Sequence, residues 1–68
     1  MNAVLRDVQP YDLHGVRYYR LVYLVDGESV PREARLSHDM AYANPTPGDR
    51  VDVHALLGIV DRVTRVAE

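Results

Sequence analysis

The chain has 68 residues, no cysteine and a formal net charge of −2. These values exclude a disulfide framework and a Cys-based zinc site, and they argue against a generic nucleic-acid binder, which usually has a basic balance. A domain of this length buries only about 60% of its unfolded surface. Its core therefore supplies roughly 3–5 kcal/mol of net stability, and a partner subunit is an expected source of further stability.

The use of residue types is uneven. All eight basic residues are arginine, all five aromatic residues are tyrosine, and valine occurs eleven times. Arginine, valine, alanine and glycine have GC-rich codons, which indicates a GC-rich and hence a bacterial genome. The N-terminus has no apolar leader segment, and no apolar run approaches the length that spans a bilayer. We therefore expect a cytoplasmic protein without a membrane partner.

The first predicted strand covers residues 3–9, with Val4 and Val8 on one face. Pro10 is expected to end this strand, because proline donates no hydrogen bond to a ladder. Residues 11–15 (YDLHG) are then expected to form a loop, since aspartate and glycine favour turns.

A β-hairpin is predicted next. Residues 16–25 (VRYYRLVYLV) and residues 28–36 (ESVPREARL) flank Asp26-Gly27, a dipeptide typical of a two-residue type I′ turn. This turn fixes the register of the two strands. It also places Pro31 at a non-hydrogen-bonded position, so that the second strand is expected to be an edge strand.

The predicted register sets Tyr19 opposite Ala34 and Arg20 opposite Glu33, an opposite-charge pair that favours the alignment. The alternation of residues then defines two faces of the hairpin. The odd-numbered face is predicted to contact the core, and it holds Tyr19, Leu21, Tyr23, Val25, Val30, Ala34 and Leu36. The even-numbered face is predicted to be exposed at its centre, and it holds Tyr18, Arg20, Glu33 and Arg35.

The second half of the chain begins with a capping residue, Ser37, which predicts one or two helical turns before residues 44–49 (NPTPGD). Alternation predicts a strand over residues 50–56. Gly58 is expected to form a kink or bulge and not a reversal, because a tight hairpin at Leu57-Gly58 would need positive φ at both residues. Beta-branched residues favour strand over helix for residues 59–67.

The order of three strands, a short helix and two more strands is similar to that of a small OB-like barrel, a five-stranded fold, and an SH3-like barrel is the alternative. This resemblance extends over most of residues 1–68. We therefore expect a single all-β domain with one short helix, in the order β-β-β-α-β-β.

Residues suited to catalysis are sparse. His14, His38 and His54 lack the spacing of a metal motif. Ser37-His38-Asp39 contains the three residue types of a catalytic triad, but triad members converge from separate segments and are not consecutive. We expect no enzymatic activity, no metal and no cofactor.

The best candidate surface is the even-numbered face of the hairpin, with Tyr18, Arg20 and Arg35, and with Arg32 nearby on the other face. Tyrosine and arginine on a strand can stack single-stranded bases and neutralise phosphates. The opposing interpretation is that the guanidinium of Arg20 is already paired with Glu33 and that Tyr18 packs in a second layer. Residues 16–36 hold four arginines against three carboxylates, which is a weak electrostatic basis for nucleic-acid binding.

Self-association is the competing interpretation. Residues 16–25 are apolar on both faces, and the following strand offers an open edge that could recruit another chain. The leading expectation is thus a non-catalytic module that binds protein, either a second copy or another chain. A single-stranded nucleic-acid binder is the alternative, and an enzyme of unknown type is third.

Overall fold

The computed structural model describes residues 1–66 and shows five antiparallel strands in one sheet. The strands are β1 (Asn2–Leu13), β2 (Val16–Val25), β3 (Arg32–Ser37), β4 (Arg50–Leu56) and β5 (Ile59–Arg65). Their order in the sheet is β3-β2-β1-β4-β5. A single 3₁₀ turn over His38–Met40 lies between β3 and β4, where one or two helical turns were predicted. The all-β prediction is confirmed.

The first hairpin is longer than the sequence predicted. β1 continues through Pro10 to Leu13, and the reversal is at His14-Gly15, where both residues have positive φ. The predicted loop over residues 11–15 was therefore wrong. Pro10 is tolerated because β1 pairs with β4 only over residues 2–4, so the far side of β1 at Pro10 has no ladder.

A bulge in β1 changes which side chains share a face. The pairing with β2 shifts between Leu5 and Asp7, so one extra residue is inserted there. Val4 faces Leu24, whereas Val8 faces Leu21 and packs against the core. The prediction that Val4 and Val8 share a face was wrong for this reason.

The register of β2 with β3 is shifted from the prediction by two residues. Tyr19 faces Leu36 and not Ala34, and Arg20 faces Arg35. Only Gly27 of the Asp26-Gly27 step has positive φ, whereas a type I′ turn needs positive φ at both central residues. The strands therefore separate after the turn, and pairing starts only at Tyr23 opposite Arg32.

The predicted faces of the hairpin survive the shift, because a slip of two residues keeps each side chain on its side of the sheet. Val30 is the exception: it lies in the connection between β2 and β3 and is 71% exposed. The buried core consists of Ala3, Leu5, Leu21, Tyr23, Val25, Ala34, Leu36, Val51, Val53 and Val63. The face of the sheet that bears these residues is called the inner face below, and the opposite one the outer face.

The second half of the chain forms a tight hairpin. β4 has the predicted bounds. The strand predicted over residues 59–67 is confirmed over Ile59–Arg65 as β5; Val66 follows the strand, and residue 67 lies outside the described residues. Leu57 and Gly58 have φ of +53° and +80°, and Leu56 faces Ile59 across them. The expectation of a kink without reversal at Gly58 was wrong.

The sheet does not close into a barrel through hydrogen-bonded strands. β3 and β5 are its two edges, and some of their Cα atoms approach within 8 Å without forming a ladder. The predicted count of five strands is confirmed, and every ladder between them is antiparallel.

Asp49 holds the connection before β4 against β1. Its Oδ2 accepts hydrogen bonds from the hydroxyl of Tyr42 at 2.6 Å and from the amide of Thr46 at 3.1 Å. Two backbone hydrogen bonds link the same segment to β1, from Gly48 N to Leu5 O and from Leu5 N to Asp49 O, at 2.8 and 2.9 Å. The proline-rich segment is thereby fixed beside the inner face of the sheet.

Candidate functional site

The outer face of β1–β3 brings together three of the four predicted site residues. Tyr18, Arg20 and Arg35 project from this face, because β2 residues 18 and 20 are opposite β3 residues 37 and 35. Arg32 lies on the other face, opposite Tyr23, as the alternation predicts. We call Tyr11, Tyr18, Arg20 and Arg35 the outer-face cluster.

Tyr11 was missed by the sequence analysis and is the nearest aromatic neighbour of Tyr18. The His14-Gly15 turn sets the two residues opposite each other, and their rings stack with centroids 5.7 Å apart at an angle of 19°. The signal that could have revealed this pair is the glycine at the second position of that turn, which a type I′ hairpin requires. The Tyr11–Tyr18 pair was not predicted because Pro10 was interpreted as the end of the first strand.

Glu33 forms an ion pair with Arg20 through both of its carboxylate oxygens. The Nε and Nη2 atoms of Arg20 donate to the two carboxylate oxygens of Glu33 at 2.9 and 3.1 Å, and Nη1 donates to Gln9 Oε1 at 3.3 Å. The hydrogen bond from Arg20 lowers the pKa of Glu33 and raises that of Arg20. The arginine fork is thus already used by a protein carboxylate, as the opposing interpretation anticipated.

Arg35 adds positive charge beside this pair, with Nε 3.4 Å from Glu33 Oε1. Its guanidinium is exposed, and it shares its only carboxylate neighbour among residues 1–66 with Arg20. The two guanidiniums and Glu33 leave a net of one positive charge on the cluster. Such a surface attracts a phosphate chain only weakly.

Arg32 contributes nothing to the outer-face cluster. Its Nε and Nη2 donate to Glu28 at 2.9 and 2.5 Å, and Nη1 lies 3.9 Å from the sulfur of Met1. The hydrogen bond that Arg32 donates to Glu28 raises the pKa of Arg32. This pair ties the start of β3 to the preceding connection.

A second surface, absent from the sequence prediction, lies at the end of the β4–β5 hairpin. Its three large aliphatic side chains are strongly exposed, with Leu56 at 63%, Leu57 at 94% and Ile59 at 72%. These three residues are called the β4–β5 tip. β4 extends beyond the start of β1, where Val53 N donates to Met1 O, so the tip projects from the sheet.

A histidine–carboxylate pair borders the tip. His54 Nδ1 lies 2.6 Å from Asp61 Oδ1, beside the bulge in the β4–β5 ladder. The hydrogen bond from His54 lowers the pKa of Asp61.

Ser37, His38 and Asp39 do not form the hydrogen-bonded chain of a catalytic triad. The Ser37 hydroxyl donates a hydrogen bond to Asp39 and not to His38, and this hydrogen bond lowers the pKa of Asp39. Ser37 precedes the 3₁₀ turn as predicted, but its side chain makes no capping hydrogen bond. Residues 1–66 contain no group of three or more metal-ligating side chains.

No helix within residues 1–66 is long and apolar enough to cross a membrane. The chain matches no family model, and comparisons with curated proteins and with solved structures give no significant match.

Proposed function

We propose that this chain is a non-catalytic interaction module, built as a partly open OB-like barrel, that self-associates through the β4–β5 tip. The observation that carries the proposal is Leu57, which is 94% exposed and has a φ of +53°. A left-handed conformation costs an ordinary L-residue roughly 1–2 kcal/mol. Neither core packing nor turn chemistry explains a leucine at this position.

The neighbours of Leu57 extend the same feature. Leu56 and Ile59 face each other across the ladder, so their side chains lie on one face of the hairpin directly below the turn. Three exposed aliphatic residues within four positions differ from the single apolar residues that are scattered over ordinary surfaces. Contiguous exposed apolar groups mark contact sites.

The free edges of the sheet support the tip as the contact surface. β3 exposes Arg32, Glu33 and Arg35, and β5 exposes Asp61 and Arg62. Charged side chains along an edge oppose the addition of a foreign strand. The inner face of β2 is covered, with Leu21 and Tyr23 almost fully buried. Self-association at the previously predicted surface of β2 and β3 is therefore less favoured than contact through the tip.

A second copy of the chain is the partner that fits best. An aliphatic patch is complementary to itself, and Asp61 and Arg62 at its border can pair across a twofold axis. Three side chains bury much less than the roughly 800 Å² per partner of a standard interface. The proposed dimer is accordingly weak, and it forms at high protein concentration.

Sedimentation velocity over a wide concentration range tests this proposal. We expect the wild-type sedimentation coefficient to rise with concentration and Leu57→Asn to remain monomeric. Val30→Asn is the matched control, because Val30 is equally apolar and 71% exposed but lies outside the tip. A wild-type protein that stays monomeric to near-millimolar concentration, or a Val30→Asn variant that loses association as completely as Leu57→Asn, would contradict it.

Single-stranded nucleic-acid binding is the second candidate, and the stacked Tyr11–Tyr18 pair favours it. OB-type proteins bind oligonucleotides on the face of strands 2 and 3, and bases stack on aromatic rings there. Arg35 lies beside this pair, whereas Arg20 can bind a phosphate only after its ion pair with Glu33 is broken.

A titration with a fluorescent oligothymidine at low and moderate salt separates the two candidates. Binding through the outer-face cluster must weaken with salt, because phosphate contacts release counterions. The Arg20→Ala, Arg35→Ala double variant should abolish it, and Arg62→Ala on β5 is the control. Absence of salt-sensitive binding removes this candidate.

A further inference from the structure

A cleft of about 280 Å³ lies between the inner face of the first hairpin and the proline-rich segment before β4. The sheet side of the cleft is formed by Val8, Pro10, Arg17 and Tyr19, and the other wall includes Pro45 and Pro47. These residues lie towards the end of β1, whereas the β4–β5 tip projects beyond its start. The cleft is therefore separate from the surface assigned to self-association.

The walls of the cleft are held in place before any ligand arrives. The proline wall is fixed by the hydrogen bonds of Asp49 to Tyr42 and Thr46, and the Thr46 hydroxyl donates to Asn44 O at 3.0 Å. The sheet wall is fixed because Pro10 faces Tyr19, which in turn faces Leu36. A site formed in advance loses little conformational entropy when it binds.

Arg17 brings a guanidinium to the cleft; Asp12 beside it offsets part of its charge but leaves both terminal nitrogens without a hydrogen bond among residues 1–66. The single side-chain hydrogen bond of Arg17 within residues 1–66 is the one that Nε donates to Asp12, and at 3.5 Å this bond is long. Arg20, by contrast, donates two hydrogen bonds to Glu33 at 2.9 and 3.1 Å. Both terminal nitrogens of Arg17 can thus meet a ligand. A planar guanidinium binds a carboxylate through two parallel hydrogen bonds.

The rest of the lining suits a flat group. A tyrosine ring and three prolines offer flat carbon surfaces on which aromatic rings pack favourably, and Asn44 and Thr46 add polar groups to the wall that bears Pro45 and Pro47. The volume lies just below the range of roughly 300–1,000 Å³ that is typical of ligand pockets. It suits one ring with a short substituent.

We propose that this cleft binds a small aromatic carboxylate, with the ring between Tyr19 and the proline wall and the carboxylate on Arg17. The proposal is independent of self-association. It requires both the ring and the negative charge, so that probes lacking either one should bind weakly.

Amide chemical-shift titration of the ¹⁵N-labelled protein with benzoate tests the proposal. Benzoate should cause saturable shifts at Val8, Tyr19 and Thr46, which border the cleft. Benzamide has the ring without the charge, and acetate has the charge without a ring. Both should bind about tenfold more weakly, the scale of one charged hydrogen bond or one lost aromatic contact.

Variants locate the site. Arg17→Gln should weaken benzoate binding about tenfold, and Arg32→Gln at the start of β3 should leave it unchanged. Tyr19→Leu should weaken it as well, and the unshifted remainder of each spectrum shows that the variant is folded. The proposal is overturned if acetate matches benzoate, if the benzoate shifts spread over the molecule without saturating, or if Arg17→Gln binds benzoate like the wild type.

Discussion

Leu57 combines an unfavourable backbone conformation with almost complete exposure. Asparagine tolerates positive φ better than leucine and is preferred at the first central position of a type I′ turn. We expect Leu57→Asn to increase the free energy of unfolding by roughly 0.5–1 kcal/mol, measured by urea denaturation at low protein concentration. A substitution that improves stability while removing association indicates that leucine is retained for contact.

His14 provides the matched control for this prediction, since it has a φ of +52° at the same position of the first hairpin. His14→Asn should stabilise the monomer to a similar extent and leave association unchanged. If Leu57→Asn is less stable than the wild type at low concentration while His14→Asn is more stable, the strain assigned to Leu57 is wrong.

Asp49 makes the stability of the fold sensitive to acid. The hydrogen bond from Tyr42 lowers the pKa of Asp49, whereas burial raises the pKa of Tyr42. A carboxyl whose folded pKa is lowered stabilises the protein above its unfolded pKa of about 3.9 and loses this contribution as pH falls through the folded value. Asp49 therefore contributes to acid unfolding below about pH 4.

Thermal unfolding measured between about pH 5 and pH 2 tests this assignment. Asp49→Asn should lower the Tm by a few degrees at pH 5 and flatten its fall towards pH 2. Tyr42→Phe should do the same to a smaller extent, because the amide of Thr46 still donates to Asp49. An acid limb as steep in Asp49→Asn as in the wild type would rule out this role.

At the scale of the elements, β2 carries most of the packing. It lies between β1 and β3, and Leu21 is fully buried where it faces Val8 on one side and Ala34 on the other. Leu21→Ala should cost roughly 2–5 kcal/mol. That is comparable to the whole stability of roughly 3–5 kcal/mol expected for a domain of this size.

Circular dichroism during urea titration should show Leu21→Ala largely unfolded at room temperature. Leu57→Ala removes the same side-chain atoms from an exposed site and should unfold within a few tenths of a molar of the wild-type midpoint. A cooperative transition in Leu21→Ala near the wild-type midpoint would show that the core is not centred on β2.

The alternation of residues was sufficient to predict the faces of β2 and β3, but the turn chemistry was insufficient to predict the register. Asp26-Gly27 suggested a tight reversal, yet only Gly27 has positive φ, and the strands diverge. The Arg20–Glu33 pair forms in spite of this, because a long arginine reaches the diagonal neighbour as readily as the facing one. The predicted contact was right although the predicted alignment was wrong.

The two tight hairpins were misjudged for different reasons. Residues 11–15 were expected to form a longer loop because Pro10 was taken as the end of β1, whereas Leu57-Gly58 was not interpreted as a reversal because leucine disfavours positive φ. Long-range pairing overrides both local preferences, since each turn joins two strands that also pair with or contact other elements. Tyr11 and the β4–β5 tip were missed because both depend on these turns.

At the scale of the whole molecule, the fold places its three surfaces apart. The outer-face cluster lies on the side of β1–β3 away from the core, the cleft lies on the inner side, and the tip extends beyond the start of β1. The sequence predicted Tyr18, Arg20 and Arg35 of the first surface, because alternation along β2 and β3 defines their face, but it did not predict Tyr11. The cleft and the tip depend on how separate segments approach each other, which local pattern does not reveal.

Leucine at position 57 should therefore lower the stability of the monomer but raise the stability of the wild type at high protein concentration, where copies associate. Binding of a second copy stabilises the folded state by mass action, by about 2.7 kcal/mol when the partner is at 100 times Kd. The wild-type Tm should rise with concentration, whereas the Tm of Leu57→Asn should stay constant. The Leu57→Asn variant should be the more stable protein at low micromolar concentration, and its advantage should shrink or reverse towards millimolar concentration.

Differential scanning calorimetry of both proteins, with Val30→Asn as the control, measures this crossing. Val30→Asn should follow the concentration dependence of the wild type, because Val30 lies in the β2–β3 connection and not in the tip. Parallel curves for wild type and Leu57→Asn would mean that the tip makes no contact between copies, even if the substitution stabilises the monomer. The strained leucine would then need a different partner to account for it.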